Sequence, residues 1–342
     1  MLRTGYLMAY STKVLLILAS AGVCWASPAT DGLTCYWGSR RNPEVAIRSC
    51  TAAIESGRLS QAGLSAAFGS RCNAYLTKHD DRRALQDCNQ ALRLDPKAAP
   101  WVYARGAVRY HSGDIDGAML DFEQASRMDP NLSLAYGGLA SVRLKRNQFN
   151  LAIEDYSAAL LINPAAWSYL GRGSTYAYMH DYDAATRDLD RAIRFGSGAD
   201  AYYWRGRCYI EKGDYDRALK DFGQAIRLQP NAAWSYGGRA TVHAWRHEYD
   251  EAIRDYDQML RLAPDADGYY GRGWVYYQKG SYIPAFRDFI HASWLKPALL
   301  GRWIWTPLVP AVWLIFFVLR RRQSKQAAPD REQRADQPLV PR

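Results

Sequence analysis

The chain has 342 residues, 48% of them hydrophobic and 13% aromatic, which argues for a folded body rather than a disordered polymer. The net charge is +10, but +2 of it falls in the first 13 residues and +4 in the tail from Arg320. The body keeps +4 and shows no basic stripe of nucleic-acid density, so nucleic acid is not an expected partner.

Residues 1–26 read as a secretory signal peptide. Arg3 and Lys13 supply the charge, residues 14–23 the apolar run, and Cys24-Trp25-Ala26 a small-residue end suited to cleavage. Two alternatives are a lipidated Cys24, disfavoured by the bulky Val23, and an uncleaved anchor, disfavoured by the short apolar run. Residues 27–60 follow. Ala46, Cys50 and Ala53 share a spacing with the segments downstream, so this stretch reads as a half repeat capping the N-terminal end.

From residue 61 to 297 one unit recurs. A small residue stands at Cys72, Gly106, Ala140, Gly173, Gly206, Ala240 and Gly273, at intervals of 33 or 34. Twelve residues later comes Ala84, Ala118, Ala152, Ala185, Ala218, Ala252 or Ala285. Four further on stands Cys88, Phe122, Tyr156, Leu189, Phe222, Tyr256 or Phe289. Pro96, Pro130, Pro164, Pro230, Pro264 and Pro297 close the units, with Ser197 in the fourth. Small residues let two antiparallel helices approach closely, the large residue fills the gap between units, and proline stops the second helix. Asp116, Asp183, Asp216 and Asp250 are expected as N-caps of the second helices.

A charged pair accompanies the small residues. Arginine precedes them at 71, 105, 172, 205, 239 and 272, and aspartate follows sixteen later at 87, 121, 188, 221, 255 and 288. Leu139 breaks the arginine column and leaves Asp155 without that partner. An ion pair between the two helices is expected, with a solvated charge face as the competing reading.

These columns resemble the tetratricopeptide repeat, W-x2-L-G-x2-Y then A-x3-F then P on 34 residues. The resemblance implies an all-α, right-handed α-solenoid of about seven helix-turn-helix units plus the N-terminal half repeat. Tyrosine often stands where the pattern has tryptophan, and the fourth unit ends Phe195-Gly196-Ser197-Gly198 without proline, where a local change is expected. In that family the first helices line a concave groove that takes peptides or protein segments. By helical phase, Tyr103, Tyr110, Trp167, Tyr178, Tyr203, Arg207, Trp234, Trp245, Tyr270, Trp274 and Tyr277 are expected to face it, the alternative for each being the core.

Residues 298–319 are almost wholly apolar and are followed by Arg320, Arg321 and Arg322, which reads as one transmembrane helix with its C-terminal end cytoplasmic. A helix packed on the end of the repeats is the alternative. Residues 320–342 read as a disordered basic tail. Export favours disulfides, and Cys35–Cys50 and Cys72–Cys88 are the candidate pairs; Cys208 is expected as a buried thiol.

No catalytic or cofactor motif stands out. His243 and His247 are four apart, but no acidic residue or cysteine joins them at ligand spacing, so no metal is expected. Gly-x-Gly pairs such as Gly171-Arg172-Gly173 belong to the repeat columns rather than to a phosphate loop. The expected function is a non-catalytic, membrane-tethered adaptor binding a protein or peptide on the periplasmic side of a bacterial inner membrane. A transmembrane sensor acting through the tail, and an envelope enzyme, are the alternatives.

Overall fold

The computed structural model describes residues 42–296, and every regular element among them is an α-helix. They fall into two compact units divided between Lys212 and Gly213. The N-terminal unit holds α1 (Pro43–Glu55), α2 (Gln61–Thr77), α3 (Asp81–Leu94), α4 (Ala99–Ser112), α5 (Ile115–Met128), α6 (Ser133–Lys145), α7 (Phe149–Ile162), α8 (Ala166–Tyr178), α9 (Tyr182–Arg194) and α10 (Ala199–Glu211). The C-terminal unit holds α11 (Tyr215–Leu228), α12 (Ala233–Trp245), α13 (Tyr249–Leu262), α14 (Ala266–Gln278) and α15 (Tyr282–Leu295).

Within each unit the helices pack in chain order as antiparallel hairpins, α2 on α3 through α8 on α9, then α12 on α13 and α14 on α15. First helices of successive repeats also lie side by side: α2, α4, α6, α8 and α10 in one unit, α12 and α14 in the other. The first helices therefore form the more closely spaced face. Helix α1 packs on α2.

The small-residue columns do what their size allows. Ala84, Ala118, Ala152, Ala185, Ala218, Ala252 and Ala285 are completely buried. At Gly273 an added Cβ would sit 3.0 Å from the Phe289 ring and 3.2 Å from the Ala285 carbonyl oxygen, so a side chain here would push α15 away by a few tenths of an ångström. Phe122, Leu189, Phe222 and Phe289 fill the adjoining space and are at most 2% exposed.

The turns correct one expectation. Asp116, Asp183, Asp216 and Asp250 are not N-caps; they stand one residue inside their helices. The caps are two residues earlier, where Asp80, Asp114, Asp181 and Asp214 each accept the backbone N–H three residues on. What places the cap is the residue before it, a left-handed position held by Gly113, Gly213 and Gly280 or by His79, Asn147, His180 and His247. The displaced aspartates instead pair with the basic end of the next first helix: Asp183 with Lys212 at 2.5 Å, Asp216 with Arg246 at 2.7 Å, Asp116 with Arg146 and Asp250 with Lys279. The fourth unit, lacking proline, ends α9 on left-handed Gly196 (φ +86°), with the Ser197 N–H donating to the Ala192 carbonyl.

The charged column is buried, not a solvated face. Asp87, Asp121, Asp188, Asp255 and Asp288 are 1–7% exposed, and each accepts a two-pronged contact from its arginine. The fork is Arg71–Asp87, Arg105–Asp121, Arg172–Asp188, Arg239–Asp255 and Arg272–Asp288, at 2.6–2.7 Å. Three of these arginines use their remaining nitrogen to reach the preceding second helix: Arg71 donates to Thr51, Arg172 to Ser157 and Arg272 to Asp257. One side chain thereby ties three helices.

Asp155 is not left alone where Leu139 breaks the column. Arg143, one turn further along α6, brings Nη1 to 2.7 Å from Asp155 Oδ2. Its approach is off-axis, because Asp155 Oδ2 and Arg143 Nε both remain buried without a hydrogen-bond partner. Burial pushes the Asp155 carboxyl up to about 6 even though Arg143 pulls it down.

Cys72 and Cys88 form a disulfide with Cα atoms 5.4 Å apart. Cys50 is also disulfide-bonded, while Cys35 lies outside the described residues. Cys208 is a buried free thiol, as expected. Among the described residues no helix is long and apolar enough to cross a membrane. The expected signal peptide, the span at 298–319 and the tail at 320–342 all lie outside them.

Candidate aromatic interaction surface

The first-helix face carries the aromatic residues singled out by helical phase, and their fates differ. On α4, Tyr103 packs on Phe122 at 5.6 Å, and Tyr110 lies in the same cluster with Lys145 Nζ 5.2 Å over its ring. Burial pushes the Tyr110 hydroxyl up. Both are half-buried packing residues. Trp167, 36% exposed, lies over Gly137, where a Cβ would come within 2.3 Å of its ring.

Tyr178, Tyr203 and Arg207 come together. Tyr178 stacks on Phe149 at 6.1 Å and meets Trp204 edge-on at 5.1 Å. Tyr203 adjoins Trp204 at 5.8 Å, and the Arg207 guanidinium stands 5.1 Å over the Trp204 ring. Phase alone passed over Phe149 and Trp204. The signal for Trp204 was available, because it stands in a column otherwise made of Ser70, Ala104, Gly138, Gly171, Gly238 and Gly271.

In the C-terminal unit, Trp245, Tyr270 and Trp274 share a cleft of about 670 Å³ with Tyr215, Tyr249 and Tyr256. Trp245 and Trp274 are 49% and 40% exposed. Tyr215 packs on Trp245 at 5.8 Å, and Tyr277 on the flank of Trp274 at 5.5 Å. The Tyr256 hydroxyl lies 3.2 Å from Thr241 Oγ1, and burial pushes its pKa up. Trp234 is half-buried and does not line this cleft.

The chemistry available on this wall is packing and hydrogen bonding. Asp267 is its single carboxylate, and no lysine, arginine or cysteine lines it. His243 and His247 do not converge: His243 Nδ1 pairs with Glu248 at 2.5 Å, His247 Nδ1 with the Tyr249 hydroxyl at 2.8 Å. Among the described residues no group of three ligating side chains is arranged to hold a metal. His79, His111 and His180 are exposed at the turns, with His79 and His111 joined at 2.9 Å.

Profiles described as tetratricopeptide repeat match residues 73–137, 199–232 and 239–283. The chain is a tetratricopeptide repeat protein. Its curated relatives include the DnaJ homolog subfamily C member 7 homolog of Schizosaccharomyces pombe, 31% identical over 28% of this chain and 22% of that protein. Human tetratricopeptide repeat protein 6 is 29% identical over 29% of this chain and 19% of that one. The chain thus spans about a fifth of the length of these relatives. Among solved structures, the APC/C hetero-tetramer Cut9-Hcn1 matches at 19% identity and TM-score 0.65, covering 76% of this chain and 51% of that one. A tetratricopeptide repeat protein from Parabacteroides merdae matches at 20% identity and TM-score 0.54, covering 69% and 94%. PilW, a type IV pilus biogenesis factor, matches at 15% identity and TM-score 0.54, covering 63% and 97%. At these identities the likeness speaks for the fold.

Proposed function

We propose that this tetratricopeptide repeat protein is a non-catalytic scaffold whose first-helix face captures a protein or peptide segment. The observation that carries the reading is the exposure of Tyr178, Trp245 and Trp274 on that face, each 40–49% open, while the large residues between repeats are shut away. Exposed aromatics of this kind dominate binding hot spots. The scaffold is tethered by the apolar segment 298–319, with the repeats on the periplasmic side of a bacterial inner membrane and the tail in the cytoplasm. The Cys72–Cys88 disulfide supports an oxidising compartment for the repeats.

Crosslinking in intact membranes followed by pull-down tests the capture. Wild type is compared with a variant carrying Tyr178→Ala and Trp245→Ala. Equal recovery of the same proteins would sink the surface assignment. Protease added to spheroplasts tests the placement: repeats that resist digestion until lysis would put them inside the cell.

A further inference from the structure

The cleft of the C-terminal unit has a filled counterpart in the N-terminal unit. Aligned by repeat, Tyr178 and Trp245 occupy one column, and Phe149 and Tyr215, which pack on them, occupy another. Two further columns then diverge. Trp204 and Arg207 stand where the C-terminal unit has Gly271 and Trp274. In the N-terminal unit Trp204 meets Tyr178 edge-on at 5.1 Å and carries the Arg207 guanidinium 5.1 Å over its ring, while Tyr178 keeps 48% of its surface open.

The exchange has a packing cause. Leu189 precedes Trp204 in the stack, and both belong to one cluster. In the C-terminal unit the residue in the Leu189 column is Tyr256, whose ring would meet a Cβ on Gly271 at 2.6 Å. A side chain at position 271 would have to displace the buried Tyr256 ring, and with glycine there the space in front of Trp245 stays open. Trp245 keeps one ring contact, with Tyr215, and among the described residues no cation stands over Trp245 or Trp274. The volume of about 670 Å³ lies in the range of ligand sites. The single charge on its wall is the Asp267 carboxylate, whose side chain is 75% exposed with Lys296 Nζ at 3.9 Å.

We infer that this cleft accepts from a partner segment the pair of groups that the protein supplies to itself in the N-terminal unit: an aromatic side chain with an arginine beside it. The incoming ring packs against Trp245 and Trp274 over Gly271. The guanidinium covers an indole face left without a cation and lies toward Asp267. The geometry favours a planar ring and a planar cation because both walls are flat π faces set on adjacent helices. This inference rests on the reading of the first-helix face as a capture surface and names what the C-terminal part of it selects.

The test is fluorescence polarisation with the purified full-length chain in detergent and a fluorescein-labelled octapeptide of glycine and serine containing one tryptophan followed by one arginine. Two control peptides replace the tryptophan by serine or the arginine by glutamate. Each control is expected to bind at least about tenfold more weakly. Trp245→Ala and Trp274→Ala are each expected to weaken the tryptophan–arginine peptide by about tenfold or more, Trp274→Phe to retain most of the affinity, and Tyr110→Ala, in the other unit, to retain all of it. Asp267→Asn, an exposed substitution with no packing role, is expected to shrink the preference for arginine over glutamate while leaving the preference for tryptophan.

No measurable binding of the tryptophan–arginine peptide, equal binding of all three peptides, or full affinity in both alanine variants with native circular dichroism would overturn the inference. If the alanine variants unfold, Asp267→Asn decides, and an unchanged arginine preference overturns it. A pull-down that still depends on the first-helix face while the peptides bind without selectivity removes this inference alone; a pull-down indifferent to that face removes the broader reading.

Discussion

The two units are made of the same repeat and dispose of their aromatic residues differently. In the N-terminal unit Phe149, Tyr178, Trp204 and Tyr203 form a run of rings in mutual contact, capped by Arg207. In the C-terminal unit Trp245 and Trp274 face an open cleft. The change of one interior residue, Leu189 against Tyr256, decides whether the neighbouring first helix carries a tryptophan or a glycine. In a stack of repeats, an interior size swap is therefore converted into a surface difference one helix away. The N-terminal unit also carries the covalent staple Cys72–Cys88 and the one broken arginine column, whereas both complete repeats of the C-terminal unit keep the full fork.

The largest effect should come from breaking a buried fork in either unit. Asp188→Ala and Asp288→Ala each strand a largely buried arginine and should cost about 3–5 kcal/mol, read from chemical denaturation. If Asp288→Ala, which leaves Arg272 its charged contact to Asp257, costs as much as Asp188→Ala, which leaves Arg172 only the Ser157 hydroxyl, the charge of the third-helix contact contributes little.

Next comes the staple. Cys72→Ala with Cys88→Ala opens the loop of 16 residues and should lower the stability of the N-terminal unit by about 3 kcal/mol. Calorimetry of this variant beside wild type should move one transition only. Movement of both would deny that the units are energetically separate.

The broken column predicts a pH dependence confined to the N-terminal unit. Asp155 has a folded pKa of about 6, above the usual carboxylate value, so its neutral form is the one the fold prefers. Its contribution is fully present below the unfolded pKa and is lost as pH rises through about 6. Asp155→Asn should remove this slope. Leu139→Arg should bring the carboxyl back down, as repeat two already accommodates Arg105 and Arg109 on one aspartate. Denaturation followed across pH reads the first and a carbon-detected titration of Asp155 the second, and a wild-type carboxyl titrating in the ordinary range would refute the account.

The smallest effect belongs to the exposed pairs between repeats. Lys279→Ala should shift the denaturation midpoint least of all these variants, and less still in high salt. The hydrogen bond from Lys279 holds Asp250 below the usual carboxylate range, so the little this pair contributes is present above that range and fades as pH falls through the depressed value.

Much was legible before any coordinates. The columns of alanine, of large interior residues and of arginine with aspartate each depend on one residue type recurring at a fixed spacing, and each lies where that spacing puts it. The N-caps were read two residues late because aspartate occupies both columns. Only the left-handed turn at Gly213 or His180 distinguishes the capping one. Arg143 was missed because it replaces an absent partner from one turn away, which a strict column cannot register.

By itself the sequence determined the repeat, its length, and which positions must be small, large or charged, since those follow from helical period and side-chain volume. The packing of neighbouring repeats decided the rest. It buried the arginine–aspartate forks out of water and set Trp204 with Arg207 beside Tyr178 while leaving Gly271 beside Trp245. Those outcomes depend on the shape of a side chain contributed by the adjacent helix, and periodicity carries no record of that shape.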